Sequence, residues 1–333
     1  MSSTLFFHFQ PKQKPAVLGT LDEVLAAMQQ NGFVWLDYNG PTMELLQPLI
    51  EKLGIHPLSI EDCLDENQIP KLDVYQGNSF ILFNNYAYDG KELVIEEVDF
   101  IISPKFLVTV HGRNSKRPEF FDKLPERIER ALNTVNKGTD FLLHTVMDYI
   151  VDHKFVVIET MEEEVDALEE RIHEAPDKFK PAQLMRLRSH LLALRKSLFH
   201  EREILIKICR KDAPCITDKS VYYFRDIYDH LTKFFEFIEI NREMISNLFE
   251  LFLSVRSNHL AMISLQTNEV MKRLTLITTI FMPLTLLAGV GGMSEWSMMT
   301  GPENWTVAYP VFLLAMVGIG WVNYKILKWL RWI

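Results

Sequence analysis

The stretch that decides the fold is LTLITTIFMPLTLLAGVGGM, residues Leu274 to Met293, which contains no charged residue. A helix of about 20 residues is long enough to cross about 30 Å of hydrocarbon. A second uncharged stretch, VAYPVFLLAMVGIGWVNY, runs from Val307 to Tyr324. Two adjacent stretches of this kind favour membrane spans over the alternative, a pair of buried core helices. We therefore predict a transmembrane hairpin over residues 273–333, with spans at about 274–293 and 307–324.

The residues that flank the two spans predict their orientation. The loop between the spans, SEWSMMTGPENW, has Glu295 and Glu303 but no Lys or Arg. The outer flanks are basic and contain Lys272, Arg273, Lys325, Lys328 and Arg331. Because cytoplasmic flanks carry the excess of Lys and Arg, we expect both termini in the cytoplasm and the loop outside. The expected location is the inner membrane of a bacterial cell.

Residues 1–137 alternate strand-like and helix-like runs. Four runs are rich in β-branched and aromatic residues, as strands are: GFVWLDY, SFILFNNYAY, LVIEEVDFIIS and KFLVTVH. Helical patterns lie between them, at TLDEVLAAMQQNG and near Pro57. The chain starts without a basic segment before a long apolar core, so we expect no cleavable signal peptide. We predict a cytoplasmic α/β domain, within an α+β membrane protein overall.

Residues 138–272 predict long helices that form a coiled-coil funnel and stalk. Apolar residues of the first helix alternate spacings of three and four, opposite an acidic face expected to be solvated: Ile158, Met161, Val165, Leu168 and Ile172. A return helix is predicted over 180–209, and a third helix begins near Val221. No Gly or Pro interrupts the third helix before Pro283, so we expect it to continue into the first span. Because one small domain cannot bury so long an apolar seam, we expect the third helix to bundle with copies of itself.

One side of the first span carries polar and small residues: Asn268, Thr275, Thr278, Met282, Thr285, Gly289 and Gly292. This stripe is either a packing face between helices in lipid or the lining of a symmetric pore. A neutral lining suits a cation that keeps its water, as Mg²⁺ tends to do. Carboxylates in the pore would hold a divalent ion too tightly to release it. The predicted lining residues are Asn268, Leu274, Thr278, Met282, Thr285 and Gly289.

The outer end of this span is rich in glycine. Gly291 and Gly292 should let the helix unwind and free backbone carbonyls toward the axis. We predict that the pore mouth, where ions are selected, consists of Gly292, Met293 and Ser294. Glu295 and Glu303 of the loop would add negative potential that concentrates cations there.

The composition argues against several other functions. A net charge of −9 makes nucleic acid an unexpected partner. The three cysteines form no CxxC pair and fit a reducing compartment. The ten histidines share no metal-ligand spacing on one helix face, and no nucleotide-binding loop or zinc-hydrolase helix occurs. We therefore predict no catalytic residue, no enzyme activity and no cofactor.

The chain resembles the CorA family of divalent-cation channels over nearly its full length. The resemblance rests on HPLSIEDCLDENQIPKLDVY, DFLLHTVMDYIVDHKFVVIETMEEEVDALEERI, YFRDIYDH and TNEVMKRLTLITTIFMPLTLLAGVGGM, of which the last is the most specific. It implies a homopentamer in membrane lipid, with a cytoplasmic funnel and a pore lined by the first span. The implied substrate is hydrated Mg²⁺, with Co²⁺, Ni²⁺ and Zn²⁺ as further candidates.

One position at the pore mouth departs from the family pattern. The family signature at the mouth is Gly-Met-Asn, whereas this chain has Ser294 in place of the asparagine. The alternatives are a zinc transporter of the same family and a non-conducting pentameric scaffold or sensor.

The family also has a regulatory cation site between subunits. The resemblance therefore implies Asp89 in YAYDG and Asp226 in YFRDIYDH as ligands, with Mg²⁺ as the regulatory ion that they bind. Two ordinary surface acids are the alternative there.

Overall fold

A computed structural model of the chain describes residues 3–65, 68–112, 121, 123–176, 178–292, 301 and 303–329. It divides into two compact units, Met1–Leu251 and Phe252–Ile333. A single helix of 71 residues, Val221–Gly291, belongs partly to each unit. The three-part division expected from the sequence, with boundaries after residues 137 and 272, stays a prediction.

The first unit is built on a seven-stranded mixed sheet. Its strands are β1 Ser3–Phe9, β2 Ala16–Leu18, β3 Phe33–Asn39, β4 Leu72–Val74, β5 Ser79–Tyr88, β6 Leu93–Ile102 and β7 Phe106–His111. They lie in the order β2-β1-β3-β7-β6-β5-β4, with β3 and β7 parallel and the other neighbours antiparallel. The four runs predicted as strands form β3, β5, β6 and β7, which confirms them. The N-terminal run, which had no predicted structure, forms β1.

Five short helices accompany the sheet in the described part of the first unit: α1 Leu21–Met28, α2 Met43–Leu53, α3 Pro57–Asp62, α4 Leu124–Arg130 and α5 Leu132–Val135. The Thr20 hydroxyl accepts a hydrogen bond from the Glu23 backbone N–H at 3.3 Å, so α1 begins with a side-chain cap. Apolar residues of α1, α2 and α3 share one buried cluster with the strands, including Val24, Leu46, Ile60, Leu36, Phe80 and Val108. Burying this cluster holds the three helices on the sheet.

Three long helices follow: α6 Thr139–Glu174, α7 Ala182–Cys209 and α8 Val221–Gly291. The predicted seam of α6 is buried throughout: Ile158, Met161, Val165, Leu168 and Ile172. Helix α8 begins at the predicted residue and continues through Pro283, which has no backbone N–H to donate to the preceding turn. Both predictions, the seam and the continuous third helix, are confirmed.

The first half of the α8 seam is covered within the chain, which corrects one expectation. Its apolar residues from Phe224 to Leu248 are buried. The Phe155 ring of α6 lies 6.0 Å from the Phe234 ring of α8, and Arg195 of α7 pairs with Glu239 of α8. Because α6 and α7 cover this part of the seam, the expectation that one chain could not bury it is wrong for this first half of α8.

The second unit contains the rest of α8 and a further helix, α9, Trp305–Trp329. Both α8 and α9 contain windows long and apolar enough to cross a membrane, and none of either window is buried in the chain. The spans predicted at 274–293 and 307–324 lie on these two helices, although α8 ends at Gly291. The chain therefore contains an α/β unit with long helices and two apolar helices, the first of which is the C-terminal part of α8.

A fully buried ion pair joins α6, α7 and β5 in the first unit. Lys154 Nζ lies 2.6 Å from Glu201 Oε2, and both side chains are 0% exposed. The Asn84 backbone N–H donates to Glu201 Oε1 at 3.0 Å, and the Lys154 ammonium lies 3.9 Å from the centre of the Phe83 ring. Burial lowers the pKa of Lys154 to about 8 and raises the pKa of Glu201, and the attraction between the two charges opposes both shifts.

We expect Lys154→Met to lower the free energy of unfolding by about 3–5 kcal/mol, because it leaves Glu201 buried without its partner. The loss should grow with pH. Burial raises the pKa of Glu201 in the folded chain above its unfolded value, so protonation favours the folded chain in acid. Denaturant titration of the full chain in detergent at about pH 5 and about pH 8 measures both effects.

The double variant Lys154→Met/Glu201→Leu is the control, since an apolar pair of similar size should recover most of the stability. A single variant as stable as the parent at both pH values would show that the ion pair does not hold α6 and α7 on β5.

Candidate ion pathway and acidic residues of the first unit

The residues predicted to line a pore share one exposed side of α8. Those on this side are Asn268, Leu274, Thr275, Thr278, Met282, Thr285 and Gly289, and all are exposed in the single chain. The opposite side of the same helix is partly covered, at Leu276, Ile280, Pro283, Leu284, Leu287 and Gly291. The spacing of three and four along each set gives the two sides of one helix.

The threonines on the exposed side use their hydroxyl protons within the helix. Thr278 Oγ1 donates to the Leu274 carbonyl at 2.9 Å, and Thr285 Oγ1 donates to the Phe281 carbonyl at 2.8 Å. Thr275 makes the same bond to the carbonyl four residues earlier, at 2.8 Å. A hydroxyl that has donated its proton can still accept through its oxygen lone pairs. The exposed side therefore presents acceptor oxygens, which suit the outward-pointing hydrogens of a hydrated cation.

A shallow groove runs along this side of α8. Its polar and small residues are Thr278, Met282, Thr285 and Gly289, and it is flanked by Ile277, Phe281, Leu286 and Val290. A Cβ atom added at Gly289 would meet no other atom within 4 Å. The groove is thus lined by hydroxyl, thioether and alkyl groups, and no ionisable side chain lines it.

The C-terminal end of α8 packs against α9. A Cβ atom added at Gly291 would lie 2.8 Å from Cζ of the Phe312 ring, and one added at Gly320 would lie 3.7 Å from Cδ1 of Leu284. The Gly292 backbone N–H still donates to the Ala288 carbonyl at 3.0 Å, so the helical bonding continues one residue past the end of α8. Gly291 therefore allows close helix packing as well as ending the helix.

The remaining mouth residues of the prediction are placed as follows. Gly292 is exposed and follows α8 directly, and Glu303 is exposed just before α9. Met293, Ser294 and Glu295 lie outside the described residues. Their proposed roles therefore rest on the sequence alone.

Asp89 lies in the turn between β5 and β6 and is exposed. Its Oδ1 accepts hydrogen bonds from the backbone N–H groups of Lys91 at 2.9 Å and Glu92 at 2.8 Å. Gly90 in the same turn has a φ of 84°, a conformation that glycine adopts without strain. The Asp89 carboxylate thus stabilises the turn in which the residue lies.

Asp226 is exposed in the second turn of α8, where other carboxylates lie near it. Its Oδ2 is 3.6 Å from His230 Nε2. Burial lowers the pKa of the His144 imidazole, while the negative charges of Asp148 and Asp226 oppose that shift. Arg127 binds Asp148 at 3.1 Å and so balances part of this charge.

The structure places Asp89 and Asp226 on separate elements of the first unit. Among the described residues, no group of three or more His, Cys, Asp or Glu side chains is arranged to hold a metal ion. Sequence reasoning missed the residues around Asp89: Tyr88 donates to Glu164, and Arg186 binds Glu164 and the Gly90 carbonyl. No local signal could have found them, because these residues lie 22 to 96 positions apart.

Comparison with known proteins gives one consistent result. Residues 30–328 match the family model described as CorA-like Mg²⁺ transporter protein. The chain is 34% identical over 318 residues to the cobalt/magnesium transport protein CorA of Thermotoga maritima, covering 94% of this chain and 87% of that protein. It is also 34% identical over 287 residues to a putative metal ion transporter of Bacillus subtilis, covering 86% and 85% of the two chains.

The fold comparison agrees with the sequence comparison. The complete structure of the CorA magnesium transporter from Methanocaldococcus jannaschii superposes with a TM-score of 0.71 at 21% identity. The match covers 99% of this chain and 98% of that one, so the likeness extends through both apolar helices. At this identity it establishes the fold.

Leucine should be destabilising at Gly291, which is closely packed, and tolerated at Gly318, which is not. We expect Gly291→Leu to lower the free energy of unfolding by about 1–3 kcal/mol, because its side chain would overlap the Phe312 ring. Gly318→Leu on α9 is the matched control, since a Cβ atom added there meets nothing within 4 Å. Thermal unfolding of monodisperse protein in detergent compares them, and equal midpoints for the two variants would contradict the packing of Gly291 on α9.

Proposed function

This chain belongs to the CorA-like Mg²⁺ transporter family, and we propose that it conducts hydrated Mg²⁺ across the membrane along the exposed side of α8. The observation that supports this pathway most strongly is the row of threonine oxygens on a face without charge. Co²⁺ is a further substrate, in keeping with the relative from Thermotoga maritima named for cobalt and magnesium transport. The chain is a transporter and not an enzyme.

A neutral lining fits the chemistry of the ion. Mg²⁺ gives up its water slowly and demands a nearly octahedral shell, so a pathway that moves it rapidly has to leave that water in place. Hydroxyl and carbonyl oxygens can accept hydrogen bonds from the shell without binding the metal itself. Binding then stays weak enough for the ion to leave, which conduction requires.

The proposed assembly is a homopentamer in membrane lipid. In a single chain the acceptor oxygens of Thr278 and Thr285 lie on an exposed side of an apolar helix, where lipid offers them no donor. Several copies arranged around an axis would turn this side toward water and leave the apolar sides to lipid. The basic residues that flank both spans support an arrangement with both termini in the cytoplasm of a bacterial cell.

At the outer end, we place the mouth at Gly292, Met293 and Ser294. Serine would offer each passing ion a hydroxyl in place of the family amide, on a side chain shorter by one heavy atom. The carboxylates of Glu295 and Glu303 would raise the local concentration of cations. Capture at this mouth would be weaker than with asparagine, while conduction along the neutral lining persists.

At the cytoplasmic end, we assign regulation to Asp89 of one subunit and Asp226 of its neighbour. Carboxylate oxygens are the hard ligands that Mg²⁺ prefers. When internal Mg²⁺ is high, a bound ion would draw the two subunits together and close the channel. When it is low, the two negative charges would repel each other and favour opening.

Ion uptake into proteoliposomes tests the proposed function directly. Purified chain is reconstituted, a potential is imposed with the inside negative, and uptake of Mg²⁺, Co²⁺, Ni²⁺ and Zn²⁺ is followed separately. Saturable uptake of Mg²⁺ and Co²⁺ is expected. No uptake of any of the four ions by correctly assembled protein would favour a scaffold or sensor.

Gly289→Leu should reduce Mg²⁺ uptake by more than about tenfold, because several leucine side chains would meet in the narrow pathway. Gly318→Leu on α9 is the matched control, since an added Cβ there also meets nothing within 4 Å. Uptake assays on both variants, with assembly checked by native mass, separate pore occlusion from a general effect of leucine. Equal uptake by the two variants would remove Gly289 from the pathway.

Ser294→Asn should lower the Mg²⁺ concentration at half-maximal uptake by about tenfold, because amide oxygens reach further and form additional hydrogen bonds to the hydrated ion. It should also increase the preference for Mg²⁺ over Zn²⁺ and Co²⁺. Concentration series with each ion measure both quantities. An unchanged half-maximal concentration with unchanged ion preference would move selection to the stretch from Thr285 to Gly292.

A further inference from the structure

We propose that Tyr88, Glu164 and Arg186 act as positioning residues for Asp89, so that the α6–α7 pair sets the affinity of the regulatory cation site. This inference rests on the regulatory role assigned above to Asp89. The three residues are called the β5 clasp below. None of them needs to touch the cation, because each acts on the turn that carries the carboxylate.

The Asp89 turn is short and connects the ends of two neighbouring strands. Residues 89–92 connect Tyr88 of β5 to Leu93 of β6, which pair directly across the sheet. The turn itself is exposed, and within it the backbone N–H groups of Lys91 and Glu92 donate hydrogen bonds to Asp89 Oδ1. Such bonds fix the shape of the turn, but they do not fix its position relative to the helices.

The β5 clasp supplies that position from two helices. The Tyr88 hydroxyl donates to Glu164 Oε2 of α6, and Arg186 Nη2 of α7 donates to Glu164 Oε1 at 2.9 Å. The same Nη2 group lies 3.4 Å from the Gly90 carbonyl, one residue beyond Asp89. The turn is thus held on both sides of Asp89, at Tyr88 and at Gly90.

The clasp is partly shielded from water. The Glu164 side chain is 18% exposed and that of Arg186 is 37% exposed, so their hydrogen-bonded ion pair is stronger than one in open solvent.

The preceding residues of β5 are attached to the same two helices. Asn84 Nδ2 donates to Ser197 Oγ of α7 at 2.7 Å, and the buried Lys154–Glu201 pair joins α6 and α7 beside Tyr86. Residues Ser79 to Tyr86 are all buried. Any shift of α6 and α7 is therefore transmitted along β5 to the Asp89 turn, and cation binding at Asp89 in turn resists such a shift.

The test measures inhibition of Mg²⁺ uptake by Mg²⁺ inside proteoliposomes. We expect Arg186→Gln and Tyr88→Phe each to raise the half-inhibiting concentration by about three- to tenfold, the range for residues that alter a coupling without touching either ligand. Uptake at low internal Mg²⁺ should stay within about twofold of the parent, since the pore is unchanged. Arg186→Lys keeps a charge for Glu164 and should restore part of the inhibition.

Arg195→Gln is the matched control, because Arg195 lies on the same helix, pairs with Glu239 and has a similar exposure of 41%. Its half-inhibiting concentration should equal that of the parent. Hydrogen exchange at residues 87–93 gives a second readout: Mg²⁺ should slow exchange there in the parent and in Arg195→Gln, and much less in Arg186→Gln.

The outcomes distinguish this proposal from the regulatory role of Asp89, on which it rests. If Asp89→Asn leaves inhibition unchanged, the regulatory role of Asp89 is wrong and the clasp has nothing to position. If Asp89→Asn weakens inhibition while Arg186→Gln and Tyr88→Phe match the parent in both readouts, the regulatory role stands and the clasp proposal is overturned. A shift of the same size in Arg195→Gln would also overturn it.

Discussion

Polar atoms on a helix in hydrocarbon must find partners, and this constraint governs how α8 can be used. The hydroxyl groups of Thr275, Thr278 and Thr285 donate their protons to carbonyls four residues earlier, so these three donors are paired within the helix. Their oxygens keep the capacity to accept. In the proposed pore the hydrated ion supplies the missing donors through its own water molecules, and the protein supplies no charge that would retain it.

The same helix belongs to two environments. Its first part is covered by α6 and α7 around a buried apolar seam, and its last part packs through Gly291 against Phe312 of α9. Between these ends it is a continuous helix without a break at Pro283. A change in the packing of α8 on α6 and α7 can therefore be transmitted along the helix backbone toward its apolar part, which is the physical basis of the proposed regulation.

The sequence predicted the elements that depend on local pattern. Periodicity and the placement of Gly and Pro indicate the start of α8 at Val221, the buried α6 seam, the strands β3, β5, β6 and β7, and the two apolar helices.

The sequence could not predict contacts that form only after folding. Lys154 lies in a charged helix that suggests exposure, yet it is buried against Glu201, 47 positions away. Glu164 belongs to an acidic face that was expected to be solvated, yet it binds Tyr88 and Arg186. The α8 seam was assigned to other copies of the chain, because periodicity identifies an apolar face but does not identify the partner that covers it.

The central claim is that the exposed side of α8 faces a water-filled ion pathway, and thiol labelling tests it most directly. In a chain whose three native cysteines are replaced by alanine, Met282→Cys is compared with Val317→Cys on α9, since the native side chains are similarly exposed at 65% and 68%. A charged, membrane-impermeant thiol reagent is added to proteoliposomes during Mg²⁺ uptake. We predict that it modifies Met282→Cys and blocks uptake, while Val317→Cys stays unmodified in lipid and uptake continues. Failure to modify Met282→Cys in a variant that still takes up Mg²⁺ would contradict the claim.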